Sequence, residues 1–256
     1  MRKSIASVVA VLLVLAAVQA EGRPRRQRRS PARPKPTRAD VAYGKHERNK
    51  LDFWQAKSGK PTPLLVFFHG GGFRRGDKST IHHKIPVNEY LSKSVSCASV
   101  NYPFLQHTEK NYLAIMRECE SAIDFLREHA SEWNIDTKRV AASGPSAGAI
   151  ISEWLGCTTG HISVIGAFQQ PKGTSILVLP FFGRRCPPVI IYQASPTSDR
   201  VHHPDNAKLL KATCDRKKVE CVVWGTGKNG IPRPPNGKND KQVMMEFFFK
   251  HWGLEK

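Results

Sequence analysis

The segment Gly144-Pro145-Ser146-Ala147-Gly148 has the residue types that present a serine as a nucleophile. It follows the apolar run 139–143 and precedes a helical pattern over residues 146–156. Between a strand and a helix, G-x-S-x-G turns the chain so sharply that the serine stands exposed above the sheet, and larger flanking residues would collide with neighbouring backbone. The helix also directs free N–H groups and a positive dipole end at the serine. Ser146 is therefore the predicted nucleophile.

A second glycine-rich segment, His69-Gly70-Gly71-Gly72, ends the buried apolar run 64–68. Glycines let the backbone approach a substrate closely. The amides of Gly71, Gly72 and Ala147 are predicted to stabilise a tetrahedral oxyanion, and such donors are worth about 3 kcal/mol each. His69 is expected to support the loop through hydrogen bonds. A glycine turn without a role is the alternative, but two such motifs, each after its own strand, argue against it.

Both segments lie in a chain that alternates short apolar runs with longer amphipathic ones. The pattern predicts strands at residues 51–56, 64–68, 95–101, 139–143, 162–167, 189–193 and 220–224, and helices at residues 81–94, 112–133, 146–156, 204–213 and 242–252. Strands and helices that alternate in this way indicate an α/β fold, in which helices cover both faces of a mostly parallel sheet.

The HGGGF and GPSAG segments resemble motifs of the esterases related to hormone-sensitive lipase, within the α/β-hydrolase superfamily. The segments YGKHERNKLDFWQA, HGGGFRRGDKS, EWNIDTKRV and VHHPDNAKLLK are similar to a group of exported bacterial hydrolases. The resemblance extends over residues 41–252 and implies the α/β-hydrolase fold, ester hydrolysis and no cofactor. The stretch between Cys157 and Pro187 has room for one strand and a loop, so we expect a minimal lid or none.

The superfamily order places an acid after one strand and a histidine after the last strand. Asp199 follows the predicted strand 189–193 and is the predicted orienting acid, with Asp205 as the second choice. The loop 225–237, where the histidine is expected, contains none. His251 lies at the end of the final predicted helix, where a histidine more often favours the helix dipole than acts as a base.

His202 and His203 offer another base, because they lie close to Asp199 in the sequence. One of them is predicted to reach Ser146 from the same rim. The alternative is that the pair only precedes Pro204 at a helix start. A metal site is disfavoured, since neighbouring side chains diverge and no third ligand is evident.

Two further polar segments follow the glycine loop. His82 and His83 could line a pocket, although we expect them to face solvent. The basic run over residues 74–79 either attracts an acidic substrate or is a solvated loop.

The first 39 residues have a different composition from the rest. Residues 1–20 combine a basic start, an apolar run over residues 8–18 and small residues before a cleavage site after Ala20, which predicts a secretory signal peptide. A retained membrane anchor is the alternative. Residues 21–39 hold eight basic residues and four prolines, which predicts a linker. The hydrolase domain is then predicted over residues 40–256, in a secreted or periplasmic protein.

Charge restricts the partners of this chain. Of the formal net charge of +19, the predicted signal carries +2 and the linker +7, which leaves +10. A basic tail can bind nucleic acid, but export argues against that partner. An anionic surface is the expected partner of the linker, and a solvated linker without a partner is the alternative.

Six cysteines are present, and six cysteines allow 15 pairings. Cys97 and Cys221 lie in apolar stretches, where a buried free thiol is usual. Cys157 and Cys186 flank a short excursion and are the favoured disulfide. The spacing lacks the paired C-x-x-C pattern of zinc sites, so no metal is expected.

These observations predict a secreted serine ester hydrolase that acts on acetyl or other short-acyl esters of small molecules or polymers. The alternative is a catalytically weakened protein of the same fold that binds a ligand or polymer at the cell surface. The missing histidine in the loop 225–237 favours that alternative.

Overall fold

The structure is a computed structural model that describes residues 33–255. Over this range, eight strands form one sheet with the order β1-β2-β4-β3-β5-β6-β7-β8. The strands are β1 (Arg38–Ala42), β2 (Lys50–Trp54), β3 (Thr62–Phe68), β4 (Ser96–Val100), β5 (Ile135–Pro145), β6 (Val164–Phe168), β7 (Val189–Gln193) and β8 (Cys221–Gly225). Strands β3 to β8 pair in parallel, whereas β1 and β2 pair antiparallel at one edge.

Seven α-helices accompany the strands within residues 33–255. They are α1 (Ile81–Lys84), α2 (Val87–Ser92), α3 (Tyr112–Glu128), α4 (Ala147–Thr158), α5 (Thr174–Leu177), α6 (Pro204–Lys217) and α7 (Asp240–Trp252). Short 3₁₀ turns lie at Lys78–Thr80, Leu105–His107, Leu179–Phe181 and Pro235–Gly237. The predicted α/β fold with a mostly parallel sheet is confirmed. In this part of the chain, no helix is long and apolar enough to span a membrane.

The core lies on both faces of the sheet, because the central strands are apolar along their whole length. All residues of β3, β4 and β6 are buried. One apolar cluster joins the sheet to α3, α4 and α6 through residues such as Ile115, Ile151 and Leu210. A second cluster joins the opposite face to α2 and α7, through Tyr90 and Phe248. Parallel strands covered on both sides require such continuous apolar runs.

The helix predicted over residues 81–94 is two helices in the structure. Ile85 has extended backbone angles, φ −107° and ψ 123°, and ends α1, and Pro86 precedes α2. The ring of a proline disfavours helical angles in the preceding residue, so this break has a local cause. The helix predicted over residues 112–133 ends earlier, at Glu128.

The boundary predicted between residues 39 and 40 is wrong, because it falls inside β1. The indole Nε1 of Trp54 donates to the carbonyl of Pro34 at 2.9 Å. Arg38 forms an ion pair with Glu132 at 3.1 Å, and its guanidinium lies over the Trp133 ring. The charged, largely exposed strand β1 lacks the apolar signal of a core strand. The signal peptide predicted over residues 1–20 and the linker up to residue 32 lie outside the described residues.

A disulfide joins Cys157, in the last turn of α4, to Cys186, just before β7. This is the pair that the sequence favours. The sulfurs of Cys97, Cys119, Cys214 and Cys221 are free and buried. The bridge therefore closes the segment that contains β6, α5 and the 3₁₀ turn at Leu179–Phe181.

Candidate functional site

Ser146 lies in the sharp turn between β5 and α4. Its backbone angles are φ 56° and ψ −114°, outside the ordinary regions for a residue with a Cβ. Its N–H donates to the carbonyl of Phe168 at the end of β6, at 2.9 Å. A Cβ on Gly144 or on Gly148 would lie 2.1 Å or 2.0 Å from the carbonyl oxygen of Phe68, so both positions require glycine. The turn is thus fixed between two neighbouring strands.

The glycine loop follows β3, which is the neighbour of β5 in the sheet. Gly71 has φ +115° and Gly72 has φ +63°, in the region that glycine adopts readily. A Cβ on Gly71 would lie 2.0 Å from the carbonyl oxygen of Arg75, so the loop folds tightly back on itself. The carbonyl of Pro145 lies beside Gly70, where an added Cβ would approach it to 2.9 Å. The loop and the serine turn are therefore in direct contact.

Three backbone amides remain available at this contact. Between residues 33 and 255, the N–H groups of Gly71, Gly72 and Ala147 have no protein acceptor. Ala147 is also the first residue of α4, whose N-terminal amides carry partial positive charge. N–H groups of this kind can bind an anion or a developing oxyanion.

His69 is buried beneath the glycine loop, with 1% of its surface exposed. Its Nδ1–H donates to the carbonyl of Gly70 at 2.7 Å, and its ring stacks on Tyr102 at 4.2 Å between centroids. The Tyr102 hydroxyl donates to the carbonyl of His69 at 2.6 Å. Burial lowers the pKa of His69 to about 4, so the ring is neutral at pH 7. His69 contacts the loop and not the serine.

His202 is the histidine that meets Ser146. Its Nε2 lies 2.8 Å from the Ser146 hydroxyl, and its Nδ1 lies 3.2 Å from Oδ2 of Asp199. When Nδ1 carries the proton and donates to Asp199, Nε2 accepts the serine O–H. The order of carboxylate, imidazole and hydroxyl is the one that activates a serine nucleophile.

Asp199 is held by its own loop. Its Oδ1 accepts the backbone N–H groups of Val201 at 2.9 Å and of His202 at 2.8 Å. The N–H of His202 is the largest influence that lowers the pKa of Asp199, and the His202 side chain adds to it. The carboxylate therefore stays ionised at neutral pH and faces the imidazole.

His203 does not approach the serine, although the sequence offers it equally with His202. Consecutive side chains point in different directions, and the Nδ1 of His203 accepts the N–H of Asp205 at 3.2 Å, as the cap of α6. Asp205 bonds to Lys208 at 2.9 Å and is not the partner of His202. Of the alternatives that the sequence left open, His203 therefore does not contact Ser146, and Asp205 does not contact His202.

The remaining histidines named from the sequence lie apart from Ser146. His251 packs edge-on against Phe247 and lies 3.6 Å from a carboxylate oxygen of Glu220. His82 packs edge-on against Trp54 at 5.5 Å between ring centroids, and His83 is exposed. Within residues 33–255, no cluster of three or more metal-ligating side chains occurs.

Gln193, the last residue of β7, is a site-supporting residue that the sequence did not reveal. It is fully buried, and its Nε2 donates to the carbonyl of His202 while its Oε1 accepts the N–H of Gln170 at 2.6 Å. Asn229, in the histidine-free loop after β8, donates to the carbonyls of Gln193 and Ser195. A buried polar residue at a strand end was the available signal, but nothing in the sequence linked it to His202.

The chain is similar in sequence to proteins that are named as esterases. The chain is 25% identical over 150 residues to Esterase LipC of Mycobacterium tuberculosis, an alignment that covers 57% of this chain and 36% of that protein. It is 25% identical over 169 residues to the probable carboxylic ester hydrolase LipM of the same organism, covering 64% of this chain and 36% of LipM. This chain thus spans about a third of the length of these curated relatives.

Solved structures share the fold. A truncated carbohydrate esterase from gut microbiota superposes with a TM-score of 0.69 at 16% identity, over 87% of this chain and 99% of that one. Esterase 2 of Thermogutta terrifontis, phosphoramylated by tabun, superposes with a TM-score of 0.65 at 18% identity, over 86% of this chain and 97% of that one. The BD-FAE family model matches residues 51–212. The chain belongs to the BD-FAE family, a hormone-sensitive-lipase-like group of α/β hydrolases.

Proposed function

We propose that this protein is a serine carboxylic ester hydrolase that acts on acetyl or other short-acyl esters. The observation that carries the proposal is the 2.8 Å contact between His202 Nε2 and the Ser146 hydroxyl, with Asp199 on the far side of the imidazole. Family membership and relatives named as esterases support the same reaction class.

In the proposed reaction, the Ser146 hydroxyl attacks the ester carbonyl while His202 takes its proton. The amides of Gly71, Gly72 and Ala147 receive the oxyanion of the tetrahedral intermediate. The intermediate collapses, its C–O bond to the alcohol breaks, and His202 returns the proton to the leaving alcohol. Water then attacks the acyl-enzyme with His202 again as base, which releases the acid and restores Ser146.

Asp199 acts through His202 in this proposal. The ionised carboxylate orients the ring so that Nδ1 keeps its proton, and it stabilises the imidazolium that forms during each proton transfer. The lowered pKa of Asp199 keeps it charged when the imidazolium appears. Acid and base come from a single loop between β7 and α6, instead of from two loops.

A comparison of two adjacent histidines tests the assignment directly. With 4-nitrophenyl acetate, Ser146→Ala and His202→Ala should each lower kcat by about 10⁴-fold or more. His203→Ala is the matched control, and it should lose about 1 kcal/mol of stability as a helix cap but keep its turnover. Wild type should also be labelled at Ser146 by a fluorophosphonate, detected by mass spectrometry.

Two results would contradict the proposal. Wild-type protein without Ser146-dependent turnover or labelling would support the weakened, ligand-binding member of the fold instead. Full activity in His202→Ala together with loss in His203→Ala would contradict the choice of base alone.

The short segment between β6 and β7 supports the preference for short acyl groups. It contributes only the one-turn helix α5 and one 3₁₀ turn, and α5 packs beside Ile150 of α4. A Salmonella schwarzengrund relative named acetyl esterase is 26% identical over 89 residues, covering 35% of this chain and 27% of that protein. Turnover of 4-nitrophenyl acetate should exceed that of the palmitate ester, and the opposite order would contradict this part of the proposal.

We also propose export of the protein, as the composition of residues 1–20 predicts. The Cys157–Cys186 disulfide supports an oxidising compartment, where such bonds persist. N-terminal sequencing of the protein secreted by a bacterial host should find cleavage after Ala20, and retention in the cytosol would contradict it. We also propose that residues 21–39 bind an anionic surface, because they carry eight basic residues.

A further inference from the structure

Two arginines lie at the end of the glycine loop, which contacts the Ser146 turn. Arg74 and Arg75 follow Gly72 after the buried Phe73, and both are exposed. The Arg75 side chain begins next to the proposed oxyanion amides, since a Cβ on Gly71 would lie 3.1 Å from Cγ of Arg75. Neither arginine forms an ion pair in the described part of the chain.

Two further basic residues lie in or next to the loop that carries His202. Arg200 is exposed and lies between Asp199 and His202 in the loop that carries both. Lys172 is exposed on the segment between β6 and β7, and its backbone N–H donates to the carbonyl of Val201 at 2.8 Å. These two cations also have no ion pair within residues 33–255. Arg74, Arg75, Lys172 and Arg200 are called the cationic rim below.

The carboxylates that lie close to these arginines in the sequence are already engaged. Asp199 accepts two backbone N–H groups and faces His202. Asp77 caps a 3₁₀ turn, and although burial opposes it, the hydrogen bonds from Asn101 and Ser79 lower the pKa of this carboxyl to about 2. Asp205 bonds to Lys208 and His203. The rim thus lacks the neutralising partners that cations on α6 and α7 have, such as Lys211 with Asp215 and Lys250 with Glu220.

Arginines without ion pairs on the two loops that flank a reactive serine favour an anionic ligand there. Arginine binds carboxylates through two parallel N–H···O bonds. A concentrated positive potential also raises the local concentration of anionic substrates and their rate of association. The rim would hold a charged group placed a few bonds away from the ester carbonyl, while the carbonyl oxygen faces the free amides.

We infer that the natural substrate is an ester that carries a carboxylate close to the scissile bond, and that the cationic rim binds this carboxylate. The inference rests on the proposed ester hydrolysis at Ser146 and names its substrate class. The carboxylate can belong to a small acid or to a uronate-bearing polymer, because the local chemistry is the same.

A charge-matched pair of substrates tests the inference. 4-Acetoxybenzoate and 4-acetoxybenzamide carry the same acetyl ester and differ in one anionic group. For each ester, kcat/KM is divided by the rate constant of its alkaline hydrolysis, which corrects for intrinsic reactivity. The corrected kcat/KM should be about tenfold higher for the benzoate than for the benzamide at low ionic strength. The ratio should fall toward one in 0.5 M NaCl, because salt screens exposed charges.

Substitutions assign the preference to the rim. Arg74→Gln combined with Arg75→Gln, and Arg200→Gln separately, should each lower the benzoate-to-benzamide ratio by threefold or more, since each removes unpaired charge from the rim. Lys60→Gln is the matched control, because Lys60 is exposed and precedes β3, at the opposite end of the strands from Ser146. The control should keep the wild-type ratio, and thermal unfolding should show that all variants are folded.

A polymer pair separates the two sources of the carboxylate. Acetate release from acetylated polygalacturonate should exceed release from equally acetylated xylan if the carboxylate is polymer-borne. If the enzyme prefers 4-acetoxybenzoate over its amide but does not prefer the acidic polymer, the recognised carboxylate belongs to a small acid. The inference would be overturned if both members of each substrate pair were hydrolysed at equal rates, or if the benzoate-to-benzamide ratio were unchanged by the rim substitutions. The esterase proposal would stand in either case. Hydrolysis of none of the four would overturn the esterase proposal, and the inference with it.

Discussion

Ser146 shows at the scale of one residue how a reactive site conflicts with an unstrained backbone. Its φ of 56° and ψ of −114° suit glycine far better than serine. The contacts that maintain this conformation are the N–H bond to Phe168 and the close packing of Gly144 and Gly148 against Phe68. Strain of this kind typically costs 1–3 kcal/mol, roughly, and persists only when its surroundings enforce it.

Ser146→Gly should therefore stabilise the protein while it abolishes turnover. We expect a gain of about 1 kcal/mol, since relief of the strain exceeds the added entropy of glycine in the unfolded chain. Urea unfolding at pH 7 measures the change. Ser146→Ala is the control, because alanine keeps the Cβ and the strain, and a stability equal in both variants would contradict the argument.

His69 should make stability depend on pH between about 6.5 and 4. The unfolded chain binds the imidazole proton with the ordinary pKa of 6.5, whereas burial lowers the pKa in the folded protein to about 4. As the pH falls through this window, the unfolded state binds the proton first, so stability is full above pH 6.5 and is progressively lost toward pH 4. The loss amounts to about 3 kcal/mol.

The measurement is the free energy of unfolding in urea at pH 7 and at pH 4.5. The difference between the two should shrink in His69→Gln, which removes the titrating ring. His83→Gln is the matched control, since His83 is exposed, and it should keep the wild-type difference. An unchanged difference in His69→Gln would show that other groups cause the dependence.

Gln193 is predicted to position His202 without touching substrate. Gln193→Met keeps the volume but removes the hydrogen bond to the His202 carbonyl. Since small displacements of a catalytic group lower rates strongly, kcat should fall about tenfold with KM nearly unchanged. Tyr192→Phe on the same strand is the control. A stability loss without any change in kcat would make Gln193 a purely structural residue.

At the scale of elements, the segment between α4 and β7 is tied down by a covalent bond. The Cys157–Cys186 disulfide has a sequence separation of 29 and encloses β6 and α5. A bridge over a loop of this length removes entropy from the unfolded chain, which corresponds to about 3 kcal/mol of stability. The segment also reaches the histidine loop through the bond from Lys172 to Val201.

The variant that carries both Cys157→Ser and Cys186→Ser should lose about 3 kcal/mol in urea unfolding. Reduction of the wild-type disulfide is the control, because it breaks the bond without introducing serine. A thiol reductant should lower the stability of wild type to that of the double variant and leave the variant unaffected. No response of the wild type to reduction would contradict the prediction.

Elements also show where sequence patterns succeed and fail. The buried strand β3 and the long amphipathic helix α3 were predictable, because continuous apolar runs and helical spacing carry a strong signal. Strand β1 was not, because its residues are charged and mostly exposed and its partner β2 is set by tertiary pairing. The break between α1 and α2 could have been predicted from Pro86, since proline disfavours helical backbone angles in the residue before it.

The site shows the same division. Ser146 and the glycine loop could be located from the sequence, because their backbone geometry demands glycine at fixed positions. The sequence could narrow the base to two adjacent histidines but could not choose between them. That choice depends on which way each side chain points once Pro204 begins α6 and His203 caps it. The role of Gln193 could not be predicted from the sequence, because it depends on how the loop after β7 folds back so that the His202 carbonyl meets the Gln193 side chain.

At the scale of the whole molecule, the fold starts earlier than the composition suggests. Residues 34–40 are joined to the rest of the described chain by the contacts of Pro34 with Trp54, of Arg38 with Glu132 and Trp133, and of Asp40 with Lys78. Lys78 is largely buried between Asp40 and Asp52, at 2.9 Å and 2.8 Å. Loss of one partner from a buried pair is costly, because the remaining charge stays desolvated.

A chain that begins at Arg33 should therefore be more stable than one that begins at Tyr43, which lacks β1. We expect a difference of about 2 kcal/mol or more in urea unfolding, within the usual range for lost pairing and caps. A chain that begins at Thr37 keeps β1 but lacks the Pro34 carbonyl that accepts the Trp54 N–H, so its stability should lie between the two, nearer to that of the longer chain. Equal stability of the Arg33 and Tyr43 chains would show that β1 adds nothing.

The spacing Asp199-x-x-His202 has a consequence for how this chain can change over generations. The proposed acid and base lie within one stretch of four residues, in the loop between β7 and α6. In a hydrolase whose histidine lies in the loop after the last strand, the acid and the histidine belong to two distant loops, and the sequences of both loops must be preserved together. Under the proposed assignment, residues 218–256, which follow α6, take no part in proton transfer and support the site through contacts such as the Asn229 bonds to Gln193 and Ser195. Their surface can diverge, shorten or acquire insertions while the reactive centre stays intact.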